Sequence, residues 1–263
     1  MAETIAPLKL DYLNDIMRIL GTTKGSFWPF VEGRGVNVMG LSAEDLTPAE
    51  TSGTAEALED DFSPIPFPGG VFGYMFQPTG DHHLAGLDHA DYSHGNGTVD
   101  TAFSVGAYIL PRTVTAGAII AKYDSAGNTE EYRFHIDSNG KLSLELHDAS
   151  ASASEIGVSD TALTLYRGVF AVATYDGAQA TPEVKIYVDG EDDLATGLTT
   201  ESGSYVAMEA TAAPLTIGCS GVTATPVDEF DGMIALPFMT GKALTVEEVG
   251  QLHNIYKVLL GLA

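Results

Sequence analysis

The sequence predicts an all-β protein: two antiparallel sheets packed as a jelly-roll sandwich, with a short helix at each end. Three observations predict it. Between Val71 and Phe238, short runs rich in β-branched and aromatic residues recur: VFGYMF, TAFSVGAYIL, AGAIIAKY, EYRFHI, KLSLEL, GVFAVATY, EVKIYV and APLTIG. Turn residues separate them, the mark of a sandwich or jelly roll. Helical spacing of apolar residues is confined to the two ends, which argues against a parallel sheet with crossover helices.

Residues 1–25 form an N-terminal helical segment. Leu8, Tyr12, Leu13, Ile16, Met17 and Leu20 recur at helical spacing, Pro7 sits where a first turn tolerates it, and Gly21 sits where a helix stops. So short an apolar face must pack on the sandwich or on a neighbouring subunit. Residues 26–243 form the sandwich. Within it, residues 40–70 are rich in Pro, Gly, Thr and acids without a sustained period, and read as a long irregular loop.

The clearest hairpin runs from Tyr132 to Leu146. Tyr132, Phe134 and Ile136 alternate before Asn139-Gly140, and Leu142, Leu144 and Leu146 alternate after it; both turn residues accept positive φ. Asp176-Gly177 and Asp189-Gly190 bracket a strand carrying Val184, Ile186 and Val188. The apolar phase of these strands predicts a core containing Phe103, Val105, Ile119, Phe134, Ile136, Leu144, Val172, Ile186, Val188, Ile217 and Ile234. Residues 244–263 form a C-terminal helix packed on the sandwich. Thr245 and Glu248 make a capping box, Leu244 and Val249 a hydrophobic staple, and Gly261 ends the helix.

A chain of 263 residues with 44% hydrophobic residues can bury a core without disulfides, and its one cysteine, Cys219, permits none within the chain. Twelve Lys and Arg face 36 Asp and Glu, a net charge of −24. That argues against a nucleic-acid surface and against docking on anionic lipid. No apolar run reaches the roughly 18 residues of a membrane span, and residues 1–20 lack the features of a signal peptide. The expectation is a chain finished in the cytoplasm.

Several motifs together resemble one family. Tyr12 to Leu20, then Phe27-Trp28-Pro29-Phe30 and Glu32-Gly33, resemble its entry helix and first strand. Gly97-Thr98-Val99-Asp100-Thr101-Ala102-Phe103-Ser104 resembles the entry to a core strand, and Ala173-Thr174-Tyr175-Asp176-Gly177 leads to Val184-Lys185-Ile186-Tyr187-Val188-Asp189-Gly190 as in its central hairpin. Ala213-Pro214-Leu215-Thr216-Ile217-Gly218, Phe230-Asp231-Gly232-Met233-Ile234 and Ala243-Leu244-Thr245 through Tyr256 follow in family order. The ordered set resembles the laminin-G-like, concanavalin A-like lectin/glucanase jelly roll of bacterial and phage type. That fold hosts lectins, glycosidases, adhesion modules and virion proteins, so it implies no single activity.

Glycosidases on such sandwiches carry E-x-D-x-x-E on one strand, where alternation aims the carboxylates at one glycosidic bond. The nearest match is Glu229-Phe230-Asp231, with Ile234 in place of the third acid. The chain is therefore expected not to be an enzyme, with no catalytic residues. His82, His83, His89 and His94 crowd together with Asp81, Asp88 and Asp91, but match no zinc spacing; a polar edge strand and loop is the plain expectation. Calcium suits the oxygen donors better, and the resemblance implies a rim site. Its candidate ligands are Asp88, Asp91 and Asp100 with Asp228 or Asp231, although Ala235 and Leu236 stand where the family often has two acids. Tyr92, Tyr132, Tyr166 and Tyr205 could stack on sugars or belong to the core.

Three functions remain open. The first is a non-enzymatic phage structural protein, a capsid decoration or cement protein located in the virion. The others are a carbohydrate-binding lectin of a tail or cell surface, and a polysaccharide hydrolase. The virion reading comes first because particles assemble in the cytoplasm and need no export signal. It implies a homo-oligomer, such as a trimer, seated on a larger shell such as a major capsid protein. Tyr12, Leu13, Ile16, Met17 and Leu20 of the first helix and Phe62 and Phe67 of the 40–70 loop are the expected contact residues.

Overall fold

The computed structural model describes residues 10–21, 24–31, 40, 46–50, 54–55, 63–178, 183–193, 199–221 and 226–262. Among these, every strand pairing is antiparallel, and the strands form two sheets. The first is ordered β14 (Glu191–Asp192), β13 (Val184–Val188), β12 (Val169–Tyr175), β7 (Phe103–Pro111), β17 (Gly232–Thr240), β5 (Phe72–Phe76) and β4 (Pro64–Pro66), with β1 (Ser26–Phe27) also paired to β17. The second is ordered β15 (Thr199–Ser202), β11 (Ala153–Ala162), β10 (Lys141–Asp148), β9 (Tyr132–Ile136), β8 (Gly117–Lys122), β16 (Leu215–Ile217), β6 (His83–Gly86), β2 (Thr47–Glu50) and β3 (Thr54–Ala55). Strands adjacent in sequence often lie in different sheets, as in a jelly roll.

The inward side chains of both sheets make one core. Phe103, Val105 and Ile109 of β7 meet Tyr132, Phe134 and Ile136 of β9 and Leu142, Leu144 and Leu146 of β10. The outer faces differ. On the first sheet the outer face is also apolar, and two helices cover it: α1 (Leu10–Leu20) and α2 (Val246–Leu260). Leu13, Ile16 and Leu20 of α1 and Val249, Leu252 and Tyr256 of α2 pack with Phe170, Val172, Met233 and Phe238 of that sheet. The first helix therefore lies on its own chain. β12 and β17 are consequently buried along their whole length, and their sequences read as unbroken apolar runs.

Both helix ends behave as their residues require. Thr245 accepts the Glu248 amide, Glu248 accepts the Thr245 amide, and Gly261 closes α2 at φ +68°. The Asp189-Gly190 turn has both residues at positive φ (+52° and +86°), the geometry that joins β13 to β14 without splaying them.

Four expectations need correction. Residues 40–70 are not wholly irregular: β2, β3 and β4 lie there; β3 and the proline-rich β4 are edge strands, where a missing N–H costs least, and β2 lies one strand in from an edge. The β9–β10 turn is a four-residue Asp137–Gly140 turn rather than a two-residue one. The Gly140 amide donates to the Asp137 carbonyl, only Gly140 has positive φ, and the Asp137 carboxylate accepts the Asn139 and Lys141 amides. Val172 is buried, but beneath the helices rather than between the sheets. Val188, near the edge of its sheet, is only half-buried. The other predicted core residues are buried between the sheets.

Candidate functional site

Among the described residues, no helix lies on the outer face of the second sheet, and the outward side chains of β9 and β10 there are polar. Inward Tyr132, Phe134 and Ile136 leave Arg133, His135 and Asp137 on the other face; inward Leu142 and Leu144 leave Ser143 and Glu145. With Ser154, Ile156 and Val158 of β11, and with Asp228 from the segment before β17, they line a groove of about 550 Å³. That volume is typical of sites for small organic ligands. The backbone sets its wall, because the Ala118 amide donates to the Asp228 carbonyl.

Arg133 is held from three sides. Its Nε donates to Glu145 and its Nη1 to Asp228, each at 2.5 Å, and its guanidinium carbon lies 4.8 Å from the centre of the Tyr123 ring. Burial raises the Glu145 carboxyl, but His147 and Arg133 outweigh it and hold the group at about 2. His147 Nε2 lies 2.9 Å from Glu145 Oε1. His135 is 7% exposed. Burial first, then the Arg133 charge, lowers its pKa to about 4, so its imidazole is neutral at pH 7. The groove thus offers a fixed donor, fixed acceptors, a neutral imidazole and three serines (Ser138, Ser143 and Ser154), a set suited to hydroxyl-rich molecules.

The sequence-predicted residues lie elsewhere, apart from Asp228. Asp88 faces Lys122 at 2.9 Å, and Asp91 lies 3.5 Å from the exposed His89. Asp100 is buried and accepts from Tyr175 Oη, Tyr205 Oη and the Met208 amide at 2.9, 2.6 and 2.9 Å. Asp228 pairs with Arg133, and Asp231 with Arg112 at 3.5 Å. Each carboxylate has its own protein partner, and among the described residues no group of three or more acids, histidines or cysteines is placed to hold a metal ion. An oxygen cage does exist at the rim, but a lysine fills it. Lys122 Nζ, fully buried, meets Asp88 Oδ1, Glu131 Oε1 and the carbonyls of Thr211 and Ala213 at 2.8–2.9 Å.

The histidines do not converge either. His94 is stacked on Phe103 with ring centroids 4.5 Å apart, and burial lowers its pKa to about 3. His83 Nδ1 lies 2.8 Å from the Asp81 carbonyl. The acids of 228–231 point three ways: Asp228 to Arg133, Asp231 to Arg112, and Glu229 to Asp81. Burial and then the Asp81 charge raise Glu229 to about 7, but Asp231 does not face it as a catalytic partner. Of the four tyrosines, Tyr92 and Tyr132 are core, Tyr205 holds Asp100, and Tyr166 is 69% exposed.

Of the expected contact residues, Leu13, Ile16 and Leu20 are buried within the chain; Tyr12, Met17 and Phe67 are half-buried against the same cluster. Phe62 lies outside the described residues. The groove residues Arg133, His135, Ser143 and Glu145 escaped sequence reasoning. Their signal was present, since they are the polar phase of the very strands whose apolar phase defined the core.

No curated protein matches the chain by sequence. Solved structures resemble it at low identity. The botulinum neurotoxin serotype G binding domain aligns with a TM-score of 0.60 and 12% identity, over 89% of this chain and 51% of that one. A Trypanosoma rangeli sialidase mutant aligns with a TM-score of 0.60 and 12% identity, over 95% of this chain and 38% of that one. Domain 4 of the arabinanase AbnA from Geobacillus stearothermophilus, solved with arabinotriose, aligns with a TM-score of 0.50 and 16% identity, over 73% of this chain and 81% of that one. The chain thus spans about half of the neurotoxin domain and less of the sialidase. Such identities show the fold alone, a fold shared by binding domains and glycosidase chains. The model of the Concanavalin A-like lectin/glucanases superfamily, in its laminin-G form, matches residues 84–250, more than half of the 263. With the two-sheet architecture, this match makes the chain a member of that superfamily.

Proposed function

We propose that this chain is a carbohydrate-binding module that acts without catalysis, and that the groove on the open sheet is its site. One observation carries the reading: the uncovered sheet face presents a preorganised polar groove, while the other sheet's outer face is sealed by helices. Family membership supports it, as does the arabinotriose bound by the related arabinanase domain. Glu145, held at about 2, cannot serve as the proton donor that glycoside cleavage needs near neutral pH.

The test is calorimetric titration of the purified chain with arabinotriose and other neutral oligosaccharides. His135→Ala and Ser143→Val should each weaken binding at least tenfold while leaving the melting temperature within a few degrees. Binding unaffected by both variants would place the site elsewhere. Release of reducing sugar, abolished by Glu145→Gln, would make the chain an enzyme.

A second reading, a virion structural protein that assembles with itself on a shell, draws support from one loop. Leu165 and Tyr166 are exposed together, and Tyr166 sits at φ +58°, an unusual conformation for a bulky side chain. Scattering-derived mass is the test: a monomer that stays monomeric and ignores capsids removes this reading.

A further inference from the structure

The charges of the groove indicate which carbohydrates it admits; this inference rests on the glycan-binding reading above. Asp137, Glu145 and Asp228 line the groove with a single cation, Arg133. Burial and the Arg133 charge keep His135 neutral, so it adds none. Two of the guanidinium nitrogens, Nε and Nη1, already donate to Glu145 and Asp228, so neither edge of the group keeps both donors free for an incoming carboxylate. His135 also lines the groove, is more than nine-tenths buried, and has a backbone hydrogen bond with Arg133 that helps fix its ring. A neutral imidazole nitrogen in such a place suits a hydroxyl, which can donate or accept as the tautomer requires.

We propose that the groove selects uncharged oligosaccharides and rejects those bearing sialic or uronic acids, because Glu145 and Asp228 pre-empt Arg133. A sugar carboxylate entering the groove finds the only guanidinium already neutralised and meets the surplus of negative charge. A neutral sugar pays no such repulsion. It can donate hydroxyls to Glu145 and Asp137 and exchange hydrogen bonds with Ser143 and His135. Asp228 is then a specificity-determining residue: it contributes by occupying the arginine.

The experiment is calorimetric titration of the whole chain with arabinotriose, sialyllactose and trigalacturonate, at about 20 mM and about 500 mM NaCl, which spans weak to nearly complete screening. The expected result is at least tenfold tighter binding of the neutral sugar at low salt, with the gap narrowing at high salt. Asp228→Asn, which removes one of the two charges that neutralise Arg133, should narrow the gap at low salt as well. Acidic sugars binding as tightly as arabinotriose, or tighter, would overturn the inference and leave glycan binding standing. A gap unmoved by both salt and Asp228→Asn would overturn it too. The salt series needs no variant, so it decides even where Asp228→Asn, which also weakens the bond from the Ser220 hydroxyl, fails to fold. Failure of every sugar to bind would instead overturn the glycan-binding reading and the inference with it.

Discussion

Lys122 shows how a single residue can replace an expected ligand. Two carboxylates and two carbonyls converge on its ammonium, so the rim carries a covalently attached cation. Sequence reading found Asp88 but not this cage, because Thr211 and Ala213 lie 89 and 91 residues from Lys122. Such partners are brought together only by the fold. Glu131 is fully buried, so Lys122→Met should cost about 3–5 kcal/mol by stranding its charge. Lys122→Met with Glu131→Gln should recover part of that loss in chemical denaturation; a double variant no better than the single would mean the charge is not the cause. His94 supplies a pH dependence. Its folded pKa of about 3 lies below the ordinary 6.5, so between these values the unfolded chain binds more protons and stability falls as pH falls. By pH 5 this one group should cost about 2 kcal/mol relative to pH 7. His94→Leu should flatten the fall in melting temperature over that window; an unchanged slope would assign it to other groups.

At the scale of elements, most of the long strands were legible because their side chains alternate or run apolar; the short β2, β3 and β4 were not, and neither were two long ones. β11, ASEIGVSDTA, has few β-formers among Ala, Ser, Glu, Gly and Asp, and is held mainly by its ladder to β10. β17, GMIALPFMT, contains a proline that argues against a central strand. The structure places Pro237 at a register shift between Ala235 and Phe238. Leu236 takes φ +52°, its carbonyl accepts the Tyr256 hydroxyl, and the Pro237 carbonyl accepts the Trp28 amide. The bulge absorbs the proline, and flanking elements satisfy the backbone it frees. The first helix carries a second lesson. Its apolar stripe forecast burial correctly but could not say against which surface, since a neighbouring subunit and its own sheet offer the same chemistry. With Ile16 fully buried in the helix–sheet cluster, Ile16→Ala should destabilise by about 2–5 kcal/mol. Removing residues 1–20 should lower the melting temperature of the sandwich itself. A truncated chain of unchanged stability would show that the helix adds nothing to the fold.

Across the whole molecule, the two sheets share one core but differ in their second faces, and the sequence records the difference. The unbroken apolar run GVFAVATY belongs to the helix-covered sheet, and the alternating runs EYRFHI and KLSLEL, whose polar phase lines the groove, belong to the open one. Comparing the two phases would have found the groove's side, though not Asp228, which arrives from 95 residues beyond Arg133. The surplus of 36 acidic over 12 basic residues acts on the same scale. Described pairs such as Arg18–Asp15 and Lys185–Glu183 are exposed and worth little, so most of the negative charge is unbalanced and repels itself. Screening relieves that repulsion once the Debye length falls to about 8–10 Å, near 0.1–0.15 M salt. Raising NaCl from about 10 mM to about 150 mM should therefore raise the melting temperature by several degrees, with smaller gains beyond. A neutral osmolyte at the same osmolality serves as the control, because it acts through exclusion from the surface and not through charge. A midpoint that ignores salt, or follows the osmolyte equally, would mean that the acidic surface costs the folded state nothing.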